Sequence, residues 1–248
     1  MKKIFLLVSA IFLATYAFAA RPKDERLFEL RIYYAEPGKL DALIERFQKH
    51  TTKLFKKHGM ENIGYWLPIH NEPNQLVYVL AYPNLAAREA AWKAFGSDPE
   101  WKKVQQASEA NGKIVNKVDS YFMAATDFSP KIRSSKKKNR VFELRTYTAG
   151  PGKLDDLQTR FRNHTLALFE KYDMVNIAYW TTIEKEKVQP KLVYILAHDS
   201  EEKGKQMFEN FRKSPEWVKV KAESEKNGVL AEKVESVYMR ALKFSRIR

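Results

Sequence analysis

Two arginines sit at the same place in a repeated pattern, Phe28-Glu29-Leu30-Arg31 and Phe142-Glu143-Leu144-Arg145. Each has a glutamate two residues before it and a tyrosine, Tyr33 or Tyr147, two residues after it. On a strand that spacing puts all three side chains on one face. A guanidinium removed from water must be paired or must hold a ligand, because a lone buried charge is very costly. Two uses fit. One is an ion pair with Glu29 or Glu143, or across two sheets, that fixes how the parts of the chain pair. The other is a bidentate clamp for a carboxylate or phosphate.

His50 and His164 also recur, each followed by Thr and each three residues after a Phe, Phe47 or Phe161. Histidine titrates near neutral pH, so these are the candidates for a general base or haem ligand. The plainer use is a satisfied or capping histidine at the edge of a helix's buried face. His58, His70 and His198 have no matching histidine in the other copy. Tyr65-Trp66 and Tyr179-Trp180 place rings on both faces of a strand. One ring of each pair faces any cavity between sheets and can stack on a flat ligand, with Tyr78 and Tyr194 beside it. The ligand-contact set is therefore Arg31, Tyr33, Tyr65, Trp66, Tyr78, Arg145, Tyr147, Tyr179, Trp180 and Tyr194. No catalytic residue is assigned beyond the candidates His50 and His164. No His/Asp/Glu spacing suits a metal, and no Gly-rich phosphate loop, nucleophile elbow or carboxylate pair is visible. No metal and no cofactor are expected.

The elements that must position these residues are written twice. Residues 28–66 match 142–180 at 24 of 39 positions, and beyond them Leu76-Val77-Tyr78 matches Leu192-Val193-Tyr194. A repeat of this length is a whole domain rather than a solenoid unit. Residues 27–35 alternate, with Phe28, Leu30 and Ile32 on one face and Glu29, Arg31 and Tyr33 on the other, which predicts a strand. Apolar residues at 40, 43, 44, 47, 54 and 55, with Thr51 on the same face, predict a helix over 39–58. A hairpin is expected over 60–82, a helical region over 85–111 broken near Pro99, and a last strand over 114–125. The second copy predicts strand 141–149, helix 153–171, hairpin 174–198, helical region 200–227 and strand 229–242. This βαββαβ order is ferredoxin-like, one antiparallel sheet with both helices on one face.

The fold expected is thus α+β: two ferredoxin-like domains packed sheet to sheet as a barrel-like pseudo-dimer within one chain. Domain 1 spans 27–126, a basic linker 127–140, and domain 2 141–244. The helices are expected on the Phe28/Leu30/Ile32 face, leaving Arg31 and Tyr33 to face the inter-sheet space.

The chain has 248 residues, a net charge of +14 and no cysteine. Disulfide chemistry, thiol nucleophiles and thiolate metal sites are excluded. Lys2, Lys3, the apolar run Ile4–Phe18 and Ala17-Phe18-Ala19 predict a signal peptide over 1–19, cleaved before Ala20, and hence a secreted or periplasmic protein. No stable membrane insertion is expected after cleavage. Lys131, Arg133, Lys136, Lys137, Lys138 and Arg140 crowd a linker that has no acid from 128 to 142. It reads as a solvated connector or as a patch for an anionic surface. A nucleic-acid partner is not expected; a small-molecule ligand and further oligomerisation are both compatible with the pattern.

Phe-Glu-Leu-Arg-x-Tyr, Pro-Gly-Lys-Leu, Arg-Phe-x-x-His-Thr, Ile-x-Tyr-Trp and Pro-Glu-Trp, all present twice, together resemble a NIPSNAP domain. The resemblance covers residues 27–125 and 141–242. It implies the dimeric α+β barrel fold, whose wider superfamily includes cofactor-free monooxygenases, haem-handling proteins and small-molecule isomerases. NIPSNAP members themselves lack an agreed reaction. Eukaryotic members are linked to mitochondria and vesicle traffic, which an export segment does not match. The function expected is a small-molecule binding or interaction module using the inter-sheet cavity. The alternative is a cofactor-independent oxygenase or isomerase with His50 or His164 as base and Arg31 or Arg145 as anion anchor.

Overall fold

The computed structural model describes residues 24–135, 139–183 and 188–248. The expected signal peptide and Lys136–Lys138 lie outside the described residues.

The first half contains strands β1 (Leu27–Ala35), β2 (Glu61–Pro68), β3 (Gln75–Tyr82) and β4 (Val115–Ala125). Its helices are α1 (Leu40–Arg46), α2 (Thr52–Lys57), α3 (Leu85–Ser97) and α4 (Pro99–Ser108). The second half repeats them as β5 (Val141–Ala149), α5 (Leu154–Arg160), α6 (Leu166–Lys171), β6 (Val175–Thr182), β7 (Lys191–His198), α7 (Glu201–Lys213), α8 (Pro215–Ser224) and β8 (Ala231–Ala241). Local signals explain the breaks. Asn84 and Ser200 accept hydrogen bonds from the first-turn amides of α3 and α7. Asp98 and Ser214 cap α4 and α8, each followed by a proline whose missing N–H costs nothing there.

The expected long helix over 39–58 is continuous but carries a π turn, Phe47–Thr51, between α1 and α2. Phe161–Thr165 does the same between α5 and α6. The extra residue in each turn is accommodated by a threonine. Thr51 Oγ1 donates to the Arg46 carbonyl at 3.2 Å, and Thr165 Oγ1 to that of Arg160. Apolar spacing alone does not distinguish such a turn from a regular helix.

The eight strands close into a barrel in the order β1-β3-β2-β8-β5-β7-β6-β4. Each half alone would leave β2 and β4, or β6 and β8, as open edges. Instead β2 pairs with β8 through Trp66–Pro68, and β4 pairs with β6 through Met123–Ala125. The halves therefore share hydrogen bonds as well as apolar contact.

The orientation of each sheet is the reverse of that expected. Phe28 and Leu30 point into the barrel, packed with Trp66, Val77, Phe142, Leu144, Trp180 and Val193. Phe28 meets Trp180 across the halves at 5.6 Å between ring centres, and Trp66 meets Phe142 at 6.0 Å. The helices cover the other face, where Tyr65, Tyr78 and Leu80 pack on Leu43, Phe47 and Phe55. The physical reason lies in polar satisfaction. The wall of a closed barrel uses its backbone groups within the sheet, so its depths offer little to a charge. The helix layer brings side-chain donors, and the Glu and Arg of β1 and β5 lie there.

The linker also differs from a free connector over its described part. Thr126 N–H donates to the Tyr179 carbonyl, and Ser129 Oγ accepts from Tyr179 N–H. Ser135 bridges in parallel to Ile247. Ile132 and the buried Ile247 both pack on the barrel core, closing that end.

Candidate functional site

Arg31 and Arg145 lie in the helix layer, not in the space between the sheets. Arg31 Nη1 reaches Glu29 Oε1 at 2.5 Å and its Nε reaches the Tyr78 hydroxyl at 3.0 Å. Its guanidinium lies 4.4 Å from the centre of the Trp92 ring. Glu29 is fully buried and also accepts from Arg88, Tyr82 and Ser120 at 2.8, 2.9 and 2.7 Å. Burial pushes its pKa up, but the Arg88 hydrogen bond and the charge of Arg31 outweigh that and hold it at about 2. Arg145 repeats the pattern with Glu143 at 2.6 Å, Tyr194 at 3.0 Å and Tyr147 at 3.2 Å. The ion-pair alternative is therefore the one realised. Both guanidiniums are engaged by protein groups.

Tyr33, Tyr65 and Tyr78 surround Phe47 in the helix layer, Tyr65 stacked on Tyr78 at 5.3 Å. Tyr147, Tyr179 and Tyr194 do the same around Phe161. Only Trp66 and Trp180 of the expected set face the barrel interior. A β-bulge between Asn62 and Gly64, and its copy between Asn176 and Ala178, precedes each Tyr-Trp pair. The indole N–H groups of both tryptophans are buried without an acceptor. His50 and His164 are exposed in the π turns, each at the rim of a surface groove. The first groove, about 540 Å³, runs between α1 and α4, where buried Arg46 is held by Glu109 at 3.0 Å. Neither histidine reaches the barrel interior. Among the described residues no group of three His, Asp or Glu side chains is placed to hold a metal ion.

The interior does have an opening, at the end away from Ile132 and Ile247. A cavity of about 220 Å³ lies there between the halves. Leu30, Ile32, Leu144, Val193 and Val237 form its walls. Tyr34, Gln75, Asp119, Tyr121, Thr146, Lys191 and Glu235 complete the lining. Asp119 accepts from the Tyr34 hydroxyl at 3.0 Å and pairs with Lys117 at 2.9 Å, while Glu235 pairs with Lys233 at 2.7 Å. Lys191 Nζ lies 5.2 Å from the Tyr121 ring centre and makes no ion pair among the described residues. Among the described residues it is the one cation of the lining. An apolar void of about 150 Å³ holds a benzene molecule, so this cavity suits a single ring or a short chain with a polar end.

Equivalent strand ends from both halves meet at this mouth, yet their residues differ. Ile32 faces Thr146 of the other copy, Gln75 corresponds to Lys191, and Tyr121 to Val237. One asymmetric pocket results rather than two equal ones. The alternation that places Leu30 and Ile32 on one face extends to Tyr34, so part of this rim was visible in sequence. Lys191 was not, since its role depends on which face turns inward.

The NIPSNAP family model matches residues 28–130 and 142–246. Human protein NipSnap homolog 3A is 30% identical over 141 residues, covering 56% of this chain and 54% of that protein. The chain thus spans about half the length of the curated relatives it matches. Among solved structures, a candidate monooxygenase from Fusobacterium nucleatum aligns with a TM-score of 0.59 at 8% identity, over 90% of this chain and 98% of that one. Another from Lactobacillus acidophilus gives 0.55 at 8% identity, over 88% and 94%. At such identities the likeness is one of fold.

Proposed function

The chain belongs to the NIPSNAP family, carrying the domain twice, and from that premise we propose that it binds a small amphipathic acid in the barrel mouth. The supporting observation is the 220 Å³ cavity, apolar in its walls, with Lys191 as its lone cation among the described residues. The apolar body of the ligand packs on Leu30, Ile32, Leu144, Val193 and Val237. Its carboxylate meets Lys191, a strongly hydrated point charge that accepts many anion geometries. The acids at the rim hold their own lysines and so leave Lys191 to the ligand. Turnover forms no part of the proposal, because His50 and His164 stand outside the cavity. The proposed location is outside the cytosol, resting on the Lys2–Ala19 segment; the N-terminal mass of the exported protein tests it.

Thermal unfolding with benzoate, and with benzamide as the neutral match, tests the binding. A ligand at a hundred times its Kd adds ~2.7 kcal/mol, raising the Tm by about 5–10 °C. Benzoate is expected to raise the Tm more than benzamide. Lys191→Gln should remove that difference, and Leu144→Trp should fill the cavity and abolish both shifts. An equal benzoate response in the native chain and Leu144→Trp refutes the cavity as the site.

A further inference from the structure

The end of the barrel opposite the cavity gathers positive charge from two distant stretches of chain. The bridge between Ser135 and Ile247, with Arg248 N–H donating to the Ser135 carbonyl at 2.8 Å, lays the linker against the C-terminal tail. This brings Lys131, Arg133 and Arg140 together with Lys243 and Arg248. Lys131, Arg133 and Lys243 make no ion pair among the described residues, while Arg140 Nη2 holds the main-chain oxygen of Arg248 at 3.1 Å. Neither stretch contains an acid, from 128 to 142 or from 236 to 248. The nearby acids are committed elsewhere: Asp24 to Arg26, Glu61 to Arg26 and Arg246, and Asp127 to Arg162. Arg140 is anchored by Ser135 and the Arg248 carbonyl, and its Nε is buried without a partner. Like charges held this close repel one another, and an anionic surface relieves that repulsion.

We propose that this closed pole docks on the anionic headgroups of a phospholipid bilayer, with the cavity mouth turned away. One observation favours a bilayer over a nucleic acid. Phe128 and Phe244 are packed into the two helix-layer cores, so these rings provide no exposed platform for bases, which single-strand binders use.

The barrel closes with residues 27–248 alone, so the test uses the chain from Ala20 onward. Co-sedimentation is measured with vesicles of phosphatidylcholine alone and with one-quarter phosphatidylglycerol. Binding is expected only to the anionic vesicles, and it should disappear in 0.5 M salt. The exposed triple variant Lys131→Gln/Arg133→Gln/Lys243→Gln should lower the partition coefficient on the order of 100-fold. Lys203→Gln/Lys213→Gln on α7, a charge loss elsewhere, should leave it within about threefold. Circular dichroism of each variant shows that the fold is kept. Absent binding to anionic vesicles overturns the proposal. So does an equal loss from the α7 variant, or capture by a single-stranded oligonucleotide without capture by vesicles.

Discussion

In the first half Glu29 accepts from two arginines, Tyr82, Trp92 and Ser120. In the second, Glu143 accepts from Arg145, His198 and Ser236. Four positions differ between these otherwise similar nests, the first being Phe122, which becomes Tyr238. Arg88 becomes Gly204, Tyr82 becomes His198 and Trp92 becomes Phe208. The changes fit together sterically. A Cβ on Gly204 would stand 2.9 Å from ring atoms of both His198 and Tyr238, so the imidazole occupies room that a side chain at 204 would need. They differ electrically too. A guanidinium keeps its charge at any ordinary pH, whereas an imidazole can lose its proton. Since His198 Nε2 faces a carboxylate at 3.0 Å, that nitrogen carries the proton, and Nδ1 is left buried without a partner. The comparison teaches that the buried carboxylate is the fixed part of the domain and its partners are the variable part.

The largest expected effect breaks that nest. Glu29→Gln strands two guanidiniums and should cost about 3–5 kcal/mol in urea unfolding. Glu143→Gln strands one guanidinium rather than two, so a smaller loss of about 2–3 kcal/mol is expected. Equal losses would show that the two nests are energetically alike. The pH dependence sharpens the same contrast. Glu29 has a folded pKa near 2, below its unfolded value near 4.5. A depressed pKa stabilises above the unfolded value, so up to about 3 kcal/mol should be lost as pH falls from 4.5 toward 2. Unfolding midpoints across that window should flatten in Glu29→Gln; an unchanged slope would assign the acid sensitivity elsewhere.

The coupled substitutions offer a smaller test. Gly204→Arg alone should destabilise, and adding His198→Tyr should recover about 1–2 kcal/mol as coupling in a double-mutant cycle. Simple additivity would deny the steric link. The bulged strands differ as well. Gly64 lies against Trp66, so that a Cβ there would sit 2.1 Å from the indole, whereas the second half tolerates Ala178 beside Trp180. Gly64→Ala should cost about 1–3 kcal/mol through overpacking, measured against Ala178→Gly, whose cost of about 0.5–1 kcal/mol is the strand penalty of glycine alone.

Much of this architecture was legible in the sequence. The repeat, the βαββαβ order and the family motifs gave the two domains and the barrel, because hydrophobic period and turn residues act locally. The Arg-Glu-Tyr grouping was also legible, since a two-residue spacing on a strand leaves side chains on one face wherever that face points. The direction was not. Both faces of β1 are covered, one by the other half and one by helices, so alternation alone cannot say which holds Phe28 and which holds Arg31. For that reason the expected ligand-contact residues other than Trp66 and Trp180 stand in the helix layer rather than between the sheets.

The amino-acid order by itself determined what lies on each strand and helix, because backbone geometry and side-chain period are set within a few residues. Only the closed barrel decided that apolar rings fill its depths, that charges retreat beneath the helices, and that Lys191 stands at the mouth. It also brought Ser135 within reach of Arg248, 113 residues away in the chain. Those outcomes depend on setting each buried charge where its partners stand, a condition that exists only when all eight strands are in place.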